Sequence, residues 1–205
     1  MSQIVLVHGW GYDASLWDAM REKLSVDAAT IDLGFYGAVP PAPTFAEPVI
    51  AVGHSLGALW WLTQAPNAWQ RLLCINGFPR FTEAADYTPA IAPRVLSRMQ
   101  QQFGRDSAAV LADFHARCGG HAPTGTPNRE RLAMGLDWLA QWDGRAALTA
   151  RRADVFALAG AHDPIVPAAM SALAFGTVES IDAPGHLLPL THPELCARWI
   201  ERLAA

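Results

Sequence analysis

The sequence predicts an α/β protein with a mostly parallel sheet of about six strands and helices on both faces. Short, wholly apolar runs recur along the chain, beginning with Ile4-Val5-Leu6-Val7, and helical patterns separate them. Continuous apolar runs are typical of parallel strands covered on both faces, because both sets of side chains are then buried. Between residues 80 and 152 the alternation stops and only helical patterns remain, which predicts a helical insertion between two strands.

Composition favours a single enzyme-sized domain spanning 1–205. The 205 residues are 51% apolar and 17% charged, which supplies enough apolar material for a substantial core. A net charge of −4 gives no sign of a nucleic-acid partner, and no apolar run approaches the roughly 20 residues of a membrane span. With no signal-peptide pattern and only three widely spaced cysteines, we expect a cytoplasmic protein.

Six strands and the helices between them can be placed in chain order. The strands are predicted at 4–7, 28–33, 48–52, 72–75, 155–159 and 177–181. Helices are predicted at 13–24, 56–64, 168–173 and 193–203, with Asp13 or Ser15 as the cap of the first. Within the insertion, helical spacing holds over 95–103, 110–114 and 132–142. The segment 80–152 is therefore predicted to be a compact helical cap.

The pentapeptide Gly53-His54-Ser55-Leu56-Gly57 is the most informative motif of the chain. G-x-S-x-G is common by itself, since glycine and serine both favour turns. Here an apolar strand ends directly before it and a helix-forming segment follows, which is the context of a nucleophile elbow. The glycines are needed because the sharp turn leaves no room for a β-carbon beside the neighbouring strand and helix. We predict that Ser55 is a catalytic nucleophile.

Candidate partners of Ser55 follow other strands of the predicted sheet. Parallel strands end at one edge, where ligands collect, and Asp163 follows the fifth strand while His186 follows the last. A serine hydroxyl needs a base to remove its proton, and histidine titrates near neutral pH. We predict His186 as that base and Asp163 as the carboxylate that orients it, in the chain order Ser, Asp, His of this architecture.

A tetrahedral oxyanion needs donors, and the backbone N–H groups of Trp10 and Leu56 are the candidates. Trp10 lies in His8-Gly9-Trp10-Gly11, directly after the first strand. Other interpretations of the single residues stay open, since His186 can be an ordinary loop histidine and Asp163 a helix cap.

Several other residues compete for a role in chemistry. Asp182 is a rival acid that this topology places poorly, and His162 and His192 are rival histidines. A zinc site built from His115, Cys118 and His121 is disfavoured, because their spacing does not share one helical face and a fourth ligand is missing. We therefore expect no metal and no organic cofactor.

Four stretches carry a resemblance to a known family. They are Val5–Gly11 with Trp17 after it, Gly53–Gly57, Asp163 with its tail to Pro167, and Gly185-His186 followed by His192-Pro193. The chain resembles an α/β-hydrolase, and within that superfamily it is most similar to the biotin-pathway carboxylesterases that cleave pimeloyl-acyl-carrier-protein methyl ester. By this resemblance the chain begins at the superfamily's third strand, so the first two strands are expected to be missing.

The same resemblance implies roles for two substrate-binding residues. In that family a phenylalanine of a cap helix lines the acyl pocket, and the corresponding residue here is Phe114, in the segment 113–118. Trp10, in the His-Gly-Trp-Gly stretch, is likewise expected to contact the substrate.

Charge is unevenly divided between the predicted cap and the remainder. Residues 80–152 contain ten Arg, no Lys and seven acidic residues, a net charge of +3, whereas the remainder carries −7. A basic cap would favour an acidic partner at the mouth of the site, as an acyl carrier protein would be. The alternative, that these arginines only solvate helix faces, stays open.

These observations predict a serine carboxylesterase that works through an acyl-enzyme, with pimeloyl-acyl-carrier-protein methyl ester as the specific substrate hypothesis. A small-ester or lactone hydrolase of unrelated role is the alternative. A catalytically silent hydrolase-fold binding protein is the alternative of another class. We expect a monomer that acts on a small-molecule or carrier-bound ester, with no nucleic-acid or membrane partner.

Overall fold

One parallel sheet organises the fold. The computed structural model describes residues 2–41 and 43–205, so Met1 and Ala42 of the predicted domain lie outside it. Within these ranges six strands follow the order β2-β1-β3-β4-β5-β6, and every neighbouring pair is parallel. They are β1 (Ile4–Val7), β2 (Ala28–Ile31), β3 (Val49–His54), β4 (Trp69–Ile75), β5 (Val155–His162) and β6 (Glu179–Pro184). The predicted α/β class and parallel sheet are confirmed.

Helices cover both faces of this sheet. They are α1 (Asp18–Arg21), α2 (Leu56–Gln64), α3 (Pro93–Arg105), α4 (Ser107–Cys118), α5 (Arg129–Gln141), α6 (Arg145–Ala150), α7 (Ala168–Phe175), α8 (Leu188–Thr191) and α9 (Pro193–Ala204). The chain leaves β1 and β3 in opposite directions, so right-handed crossovers place α1 and α2 on opposite faces. Helix α9 packs against α1, and α2 packs against β1, β3 and β4. None of the helices in the described ranges combines the length and hydropathy that a bilayer crossing requires.

Burial follows the position of each strand in the sheet. Every residue of β1 and β3 is buried, because these central strands are covered on both faces. The edge strand β2 is buried only at its first residue and is otherwise partly or fully exposed. The buried strands β1 and β3 lie side by side, and the strand order reverses between them. Ligands of open α/β sheets bind at the carboxyl ends of the strands at such a point, and the candidate site lies there.

The bounds of five strands differ from those that the apolar patterns predicted. Strand β2 ends at Ile31 rather than at 33, β5 continues past 159 to His162, and β6 covers Glu179–Pro184 rather than 177–181. Strand β3 continues past Val52 to His54, and β4 begins at Trp69 rather than at Leu72. Exposed Gln70 and Arg71 interrupt the apolar pattern of β4, but the backbone ladder does not depend on side-chain polarity.

The first predicted helix is wrong in extent. Instead of one helix over 13–24, a 3₁₀ turn at Ala14–Trp17 is followed by the short α1. Asp13 is a cap as predicted, since its carboxylate accepts a hydrogen bond from the Ser15 N–H at 3.0 Å. The Ala14 N–H donates to Asp32 at 3.1 Å, which ties the first turn to the segment after β2.

Helices α3 to α6 follow each other between β4 and β5, where the sequence pattern predicted a helical insertion. In the described part of this segment no strand forms, and only the isolated bridges Thr82–Ile91 and Ala84–Tyr87 occur, besides one between Pro127 and Tyr36. Helix α3 packs against α4 and α5, whereas α6 packs against α2 on the face of the sheet. We call α3, α4 and α5 the lid helices.

Candidate active site

Ser55 lies in a strained turn between β3 and α2. Its backbone angles are φ 54° and ψ −119°, a conformation that is unfavourable for a residue with a β-carbon. Both glycines of the motif are sterically required. A β-carbon at Gly57 would lie 2.1 Å from the Val7 carbonyl oxygen, and one at Gly53 would lie 2.4 Å from the Ala58 nitrogen. The turn is therefore the tight strand-to-helix elbow that the motif predicted.

Asp163 and His186 meet at the same edge of the sheet. Asp163 directly follows β5, and His186 lies in the loop after β6. The His186 Nδ1 and Asp163 Oδ2 are 2.8 Å apart, and both side chains are almost fully buried. The other carboxylate oxygen, Oδ1, accepts hydrogen bonds from the N–H groups of Ile165 at 2.7 Å and Val166 at 3.0 Å.

These contacts keep Asp163 ionised. Burial alone would raise the pKa of this carboxyl, but the charge and hydrogen bond of His186 and the backbone donors outweigh it, so the pKa lies below its ordinary value. An ionised carboxylate at Nδ1 fixes the proton there, which leaves His186 Nε2 as the nitrogen able to accept a proton.

The remaining ring nitrogen of His186 is Nε2. It is buried and has no hydrogen-bond partner among the described residues. The described contacts do not include a bond from the Ser55 hydroxyl to this nitrogen. Such bonds are often long in unliganded enzymes and tighten when substrate binds.

The loop after β1 is held by His8 and Asp32. The His8 Nε2 accepts a hydrogen bond from the Leu33 N–H at 2.9 Å, so its proton lies on Nδ1, which donates to the Gly9 carbonyl at 2.9 Å. Asp32 accepts from the Gly34 N–H at 2.7 Å. This network fixes the backbone just before Trp10, one of the two predicted oxyanion donors. The segment 32–34 after β2 was not predicted to take part in the site.

Gly9 brings this loop against the nucleophile. A β-carbon at Gly9 would lie 3.0 Å from the Ser55 β-carbon. Leu56, the second predicted oxyanion donor, is the first residue of α2, and the N–H groups of a helix's first turn have no partner within the helix. The structure thus brings the loop that contains Trp10 against Ser55, and Leu56 follows Ser55 directly at the start of α2.

The lid helices contact the same loop. The Trp10 indole N–H donates to the Leu132 carbonyl of α5 at 2.8 Å, and its ring meets Phe114 of α4 edge to face at 4.9 Å. The next residue of α4, His115, donates from Nε2 to the Gly11 carbonyl at 2.7 Å. His115 was considered above only as a weak metal ligand, and its observed role is to hold this loop.

A cavity of about 90 Å³ is lined by three of the predicted site residues, Ser55, Trp10 and Phe114. Ser55 and Trp10 form part of its lining, and most of the remainder is apolar, including Val95, Leu96, Met99, Phe114, Leu139 and Ile165, with Arg117 at one side. Larger clefts of about 690 and 920 Å³ open beside Trp60 and beside Asp18, but they contain none of the predicted site residues. We therefore choose the cavity over Ser55 as the candidate active site because of the residues that line it, although it is smaller.

His54, the variable residue before the serine, is part of the site. Its Nε2 donates to the His186 carbonyl at 2.8 Å, and the two imidazole rings lie 4.7 Å apart. Complete burial, and then the neighbouring His186, lower the pKa of His54 to about 3. His54 is therefore neutral near pH 7 and positions the His186 loop without adding a second charge. The motif contained His54, but nothing local in the sequence indicated this contact.

We expect His54 to make the fold sensitive to mild acid. Its folded pKa of about 3 lies below the ordinary value of 6.5, so the unfolded chain binds one more proton between these values. Stability contributed by neutral His54 is present above pH 6.5 and is lost as pH falls toward 3, by up to about 1.4 kcal/mol per pH unit. When the free energy of unfolding is measured in urea from pH 7 to pH 4, it should fall less steeply with pH in His54→Gln than in wild type. His162→Gln changes an exposed histidine and should keep the wild-type dependence on pH. The same dependence in His54→Gln and wild type would refute this role of His54.

The rival residues lie elsewhere. His162 pairs with Asp182 at 3.1 Å on the surface, and His192 contacts the Thr191 hydroxyl at 2.9 Å. In the described ranges no three His, Cys, Asp or Glu side chains are grouped closely enough to bind a metal ion.

Comparison with known proteins gives the family. No family model matches the chain. The chain is 30% identical to a pimeloyl-[acyl-carrier protein] methyl ester esterase from Aromatoleum aromaticum, over 97% of this chain and 96% of that protein. The chain belongs to this esterase family.

Other similarities agree with this membership. A biotin biosynthesis bifunctional protein from Cellvibrio japonicus is 28% identical over 81% of this chain, which matches 39% of that longer protein. A solved esterase from Exiguobacterium antarcticum superposes with a TM-score of 0.76 at 16% identity, covering 100% of this chain and 94% of the esterase chain. The structural match confirms the α/β-hydrolase fold, and family and fold together make the protein a carboxylesterase.

Proposed function

We propose that this carboxylesterase uses Ser55, His186 and Asp163 to hydrolyse the methyl ester of a pimeloyl-acyl-carrier-protein in biotin synthesis. The observation that carries the proposal is that His186 contacts Asp163 at 2.8 Å and keeps its second nitrogen without a partner among the described residues, at the sheet edge where Ser55 lines an apolar cavity. In this proposal the enzyme is a cytoplasmic monomer that needs neither a metal nor an organic cofactor.

The reaction proceeds in two steps. His186 takes the hydroxyl proton as Ser55 Oγ attacks the ester carbonyl carbon, and it then gives this proton to the departing methoxide, so methanol leaves and an acyl-enzyme forms. A water molecule, deprotonated by His186, then attacks the acyl carbonyl. The bond to Ser55 breaks, the proton returns to its oxygen and the free acid leaves.

Electrostatic stabilisation comes from the two backbone donors. The N–H groups of Trp10 and Leu56 bind the oxyanion of each tetrahedral intermediate, and the N-terminus of α2 adds its positive end. Asp163 stabilises the imidazolium that His186 becomes in each step. Removing one donor of this kind typically costs about 10²–10³ in kcat.

In this proposal the cap, which contains the lid helices, determines which ester reaches Ser55. We assign the segment 80–152 as a cap on a single domain, with Phe114 and Trp10 against the acyl chain. The proposed carrier-protein substrate is supported by the family and by the net charge of +3 in this segment. An acidic carrier at the cap would place the ester at the end of an extended chain that enters the cavity.

We expect Phe114→Ala to shift chain-length preference. Removing the ring enlarges the apolar cavity over Ser55, so the kcat/KM ratio of p-nitrophenyl octanoate to p-nitrophenyl butyrate should rise about tenfold. Phe103→Ala is the matched control, because Phe103 is buried in the lid and also contacts Trp10 but does not line the cavity. A similar rise in both variants would show that general loosening of the lid is the cause.

The cavity volume favours a second candidate function. About 90 Å³ suits a short ester better than a seven-carbon chain, so a small-ester or lactone hydrolase is the alternative. Steady-state assays with pimeloyl-acyl-carrier-protein methyl ester, p-nitrophenyl acetate and a simple lactone separate the two. The proposal expects the carrier-bound ester to have the highest kcat/KM.

The decisive cellular test is rescue of a biotin auxotroph that lacks its pimeloyl-ester esterase. Expression of this chain should restore growth without biotin, and the Ser55→Ala variant should not. A fluorophosphonate probe checks that the expressed protein is active. No growth with a probe-reactive protein would refute the biotin role and leave the esterase intact.

A further inference from the structure

Asn76 is a buried residue that the reaction scheme above does not use. It directly follows β4, at the same sheet edge as Ser55 and Asp163, and it has no exposed surface. Its φ of 48° is uncommon for a residue with a side chain, although asparagine tolerates it better than most. Its backbone N–H donates to the Leu158 carbonyl at 2.8 Å, which anchors this conformation to β5.

The Asn76 amide shares a carboxylate oxygen with His186. Its Nδ2 donates to Asp163 Oδ2 at 2.5 Å, the same oxygen that His186 Nδ1 contacts at 2.8 Å. The opposite orientation of the amide would direct Oδ1 at the carboxylate and repel it, so the network assigns the nitrogen to Asp163. With the two backbone donors on Oδ1, this carboxylate receives four hydrogen bonds.

The two polar atoms of the Asn76 amide differ in their contacts. Asn76 Oδ1 is buried and accepts no hydrogen bond from the described residues. Through Nδ2 the Asn76 side chain is thus connected to the carboxylate that contacts His186.

We infer that Asn76 is a positioning residue of the triad, which holds Asp163 beside His186 and takes up part of the carboxylate charge that would otherwise act on the imidazole. This inference rests on the proposed function of the triad. A carboxylate oxygen that also accepts a hydrogen bond from a neutral amide stabilises the imidazolium less than an oxygen that contacts His186 alone. Asn76 therefore limits how strongly Asp163 stabilises the imidazolium of His186.

The first test compares pH profiles of kcat/KM for p-nitrophenyl butyrate. Asn76→Gly removes the amide and still allows a positive φ, so it tests the bond without adding backbone strain. The acid limb of its profile should move up by about 0.5–1 pH unit, and kcat on the plateau should fall about threefold to tenfold. Cys74→Ala, a buried change on the same strand at a side chain with no described hydrogen bond to Asp163, should leave the acid limb in place. A limb that stays or moves down in Asn76→Gly would overturn the inference.

The second test needs no catalysis. In Asn76→Asp the new carboxyl can donate to Asp163 only while protonated, and burial beside a carboxylate raises its folded pKa above the unfolded value. Its contribution is therefore present at low pH and lost as pH rises. By urea unfolding, the stability lost relative to wild type should be larger at pH 8 than at pH 5. Equal losses would overturn the inference, whereas absent wild-type esterase activity would instead refute the proposed function.

Discussion

Replacing Ser55 with alanine is expected to lower kcat for p-nitrophenyl butyrate by about 10⁴-fold or more. In the proposed mechanism the hydroxyl oxygen forms the acyl-enzyme, so without it neither His186 nor Asp163 has a step to assist. The proposed oxyanion donors, the backbone N–H groups of Trp10 and Leu56, remain, so we expect a residual rate of about 10³–10⁴ over the uncatalysed reaction. Steady-state kinetics with purified protein measure this loss.

Ser171→Ala is the matched control for this variant. Ser171 is another buried serine, and its hydroxyl has no hydrogen-bond partner among the described residues of the structure. It lies in α7, outside the cavity over Ser55, so its kcat should stay within about twofold of wild type. If Ser55→Ala kept more than about a hundredth of wild-type kcat, Ser55 would not be the nucleophile.

Gly57→Ala is expected to destabilise the fold strongly. The new β-carbon would lie 2.1 Å from the Val7 carbonyl oxygen, 2.7 Å from the Val7 carbonyl carbon and 2.9 Å from the His8 carbonyl oxygen. These are backbone atoms of the central strand and its loop, so relief requires α2 and β1 to separate. A loss above about 4 kcal/mol in the free energy of unfolding follows, which is a large part of a typical domain's stability.

Urea unfolding followed by circular dichroism measures that loss. Gly104→Ala is the control, because Gly104 lies in α3 and no atom approaches the position of its β-carbon within 4 Å. That change should be neutral or stabilising by up to about 1 kcal/mol, since alanine favours helix more than glycine does. A Gly57→Ala protein with wild-type stability would contradict the tight elbow.

The elbow and the central strands could be predicted because their signals are local. The run at Ile4–Val7 is apolar at every position, and burial on both faces of a central strand requires this. The motif around Ser55 predicts a tight turn because Gly53 and Gly57 have no β-carbon to collide with the neighbouring backbone. Where polar side chains interrupt an apolar pattern, as at Gln70 in β4, the same reasoning misses the start of a strand.

The network around the predicted triad could not be found in this way. Asn76 and Asp163 are 87 positions apart, and His115 and Gly11 are 104 apart, so their contacts depend on the strand order and on the packing of the lid. No periodicity or motif records such distances. The signal that was present, Asn76 next to Gly77 at the end of a strand, predicts only a turn.

The central claim is that Ser55 carries the acyl group during turnover. Peptide mass spectrometry after acid quenching of the steady-state reaction with p-nitrophenyl butyrate tests it directly. We expect a butyryl group on Ser55 and on no other residue, and none on the Ser55→Ala protein. Turnover that leaves Ser55 unmodified, or a butyryl group on another side chain, would contradict it.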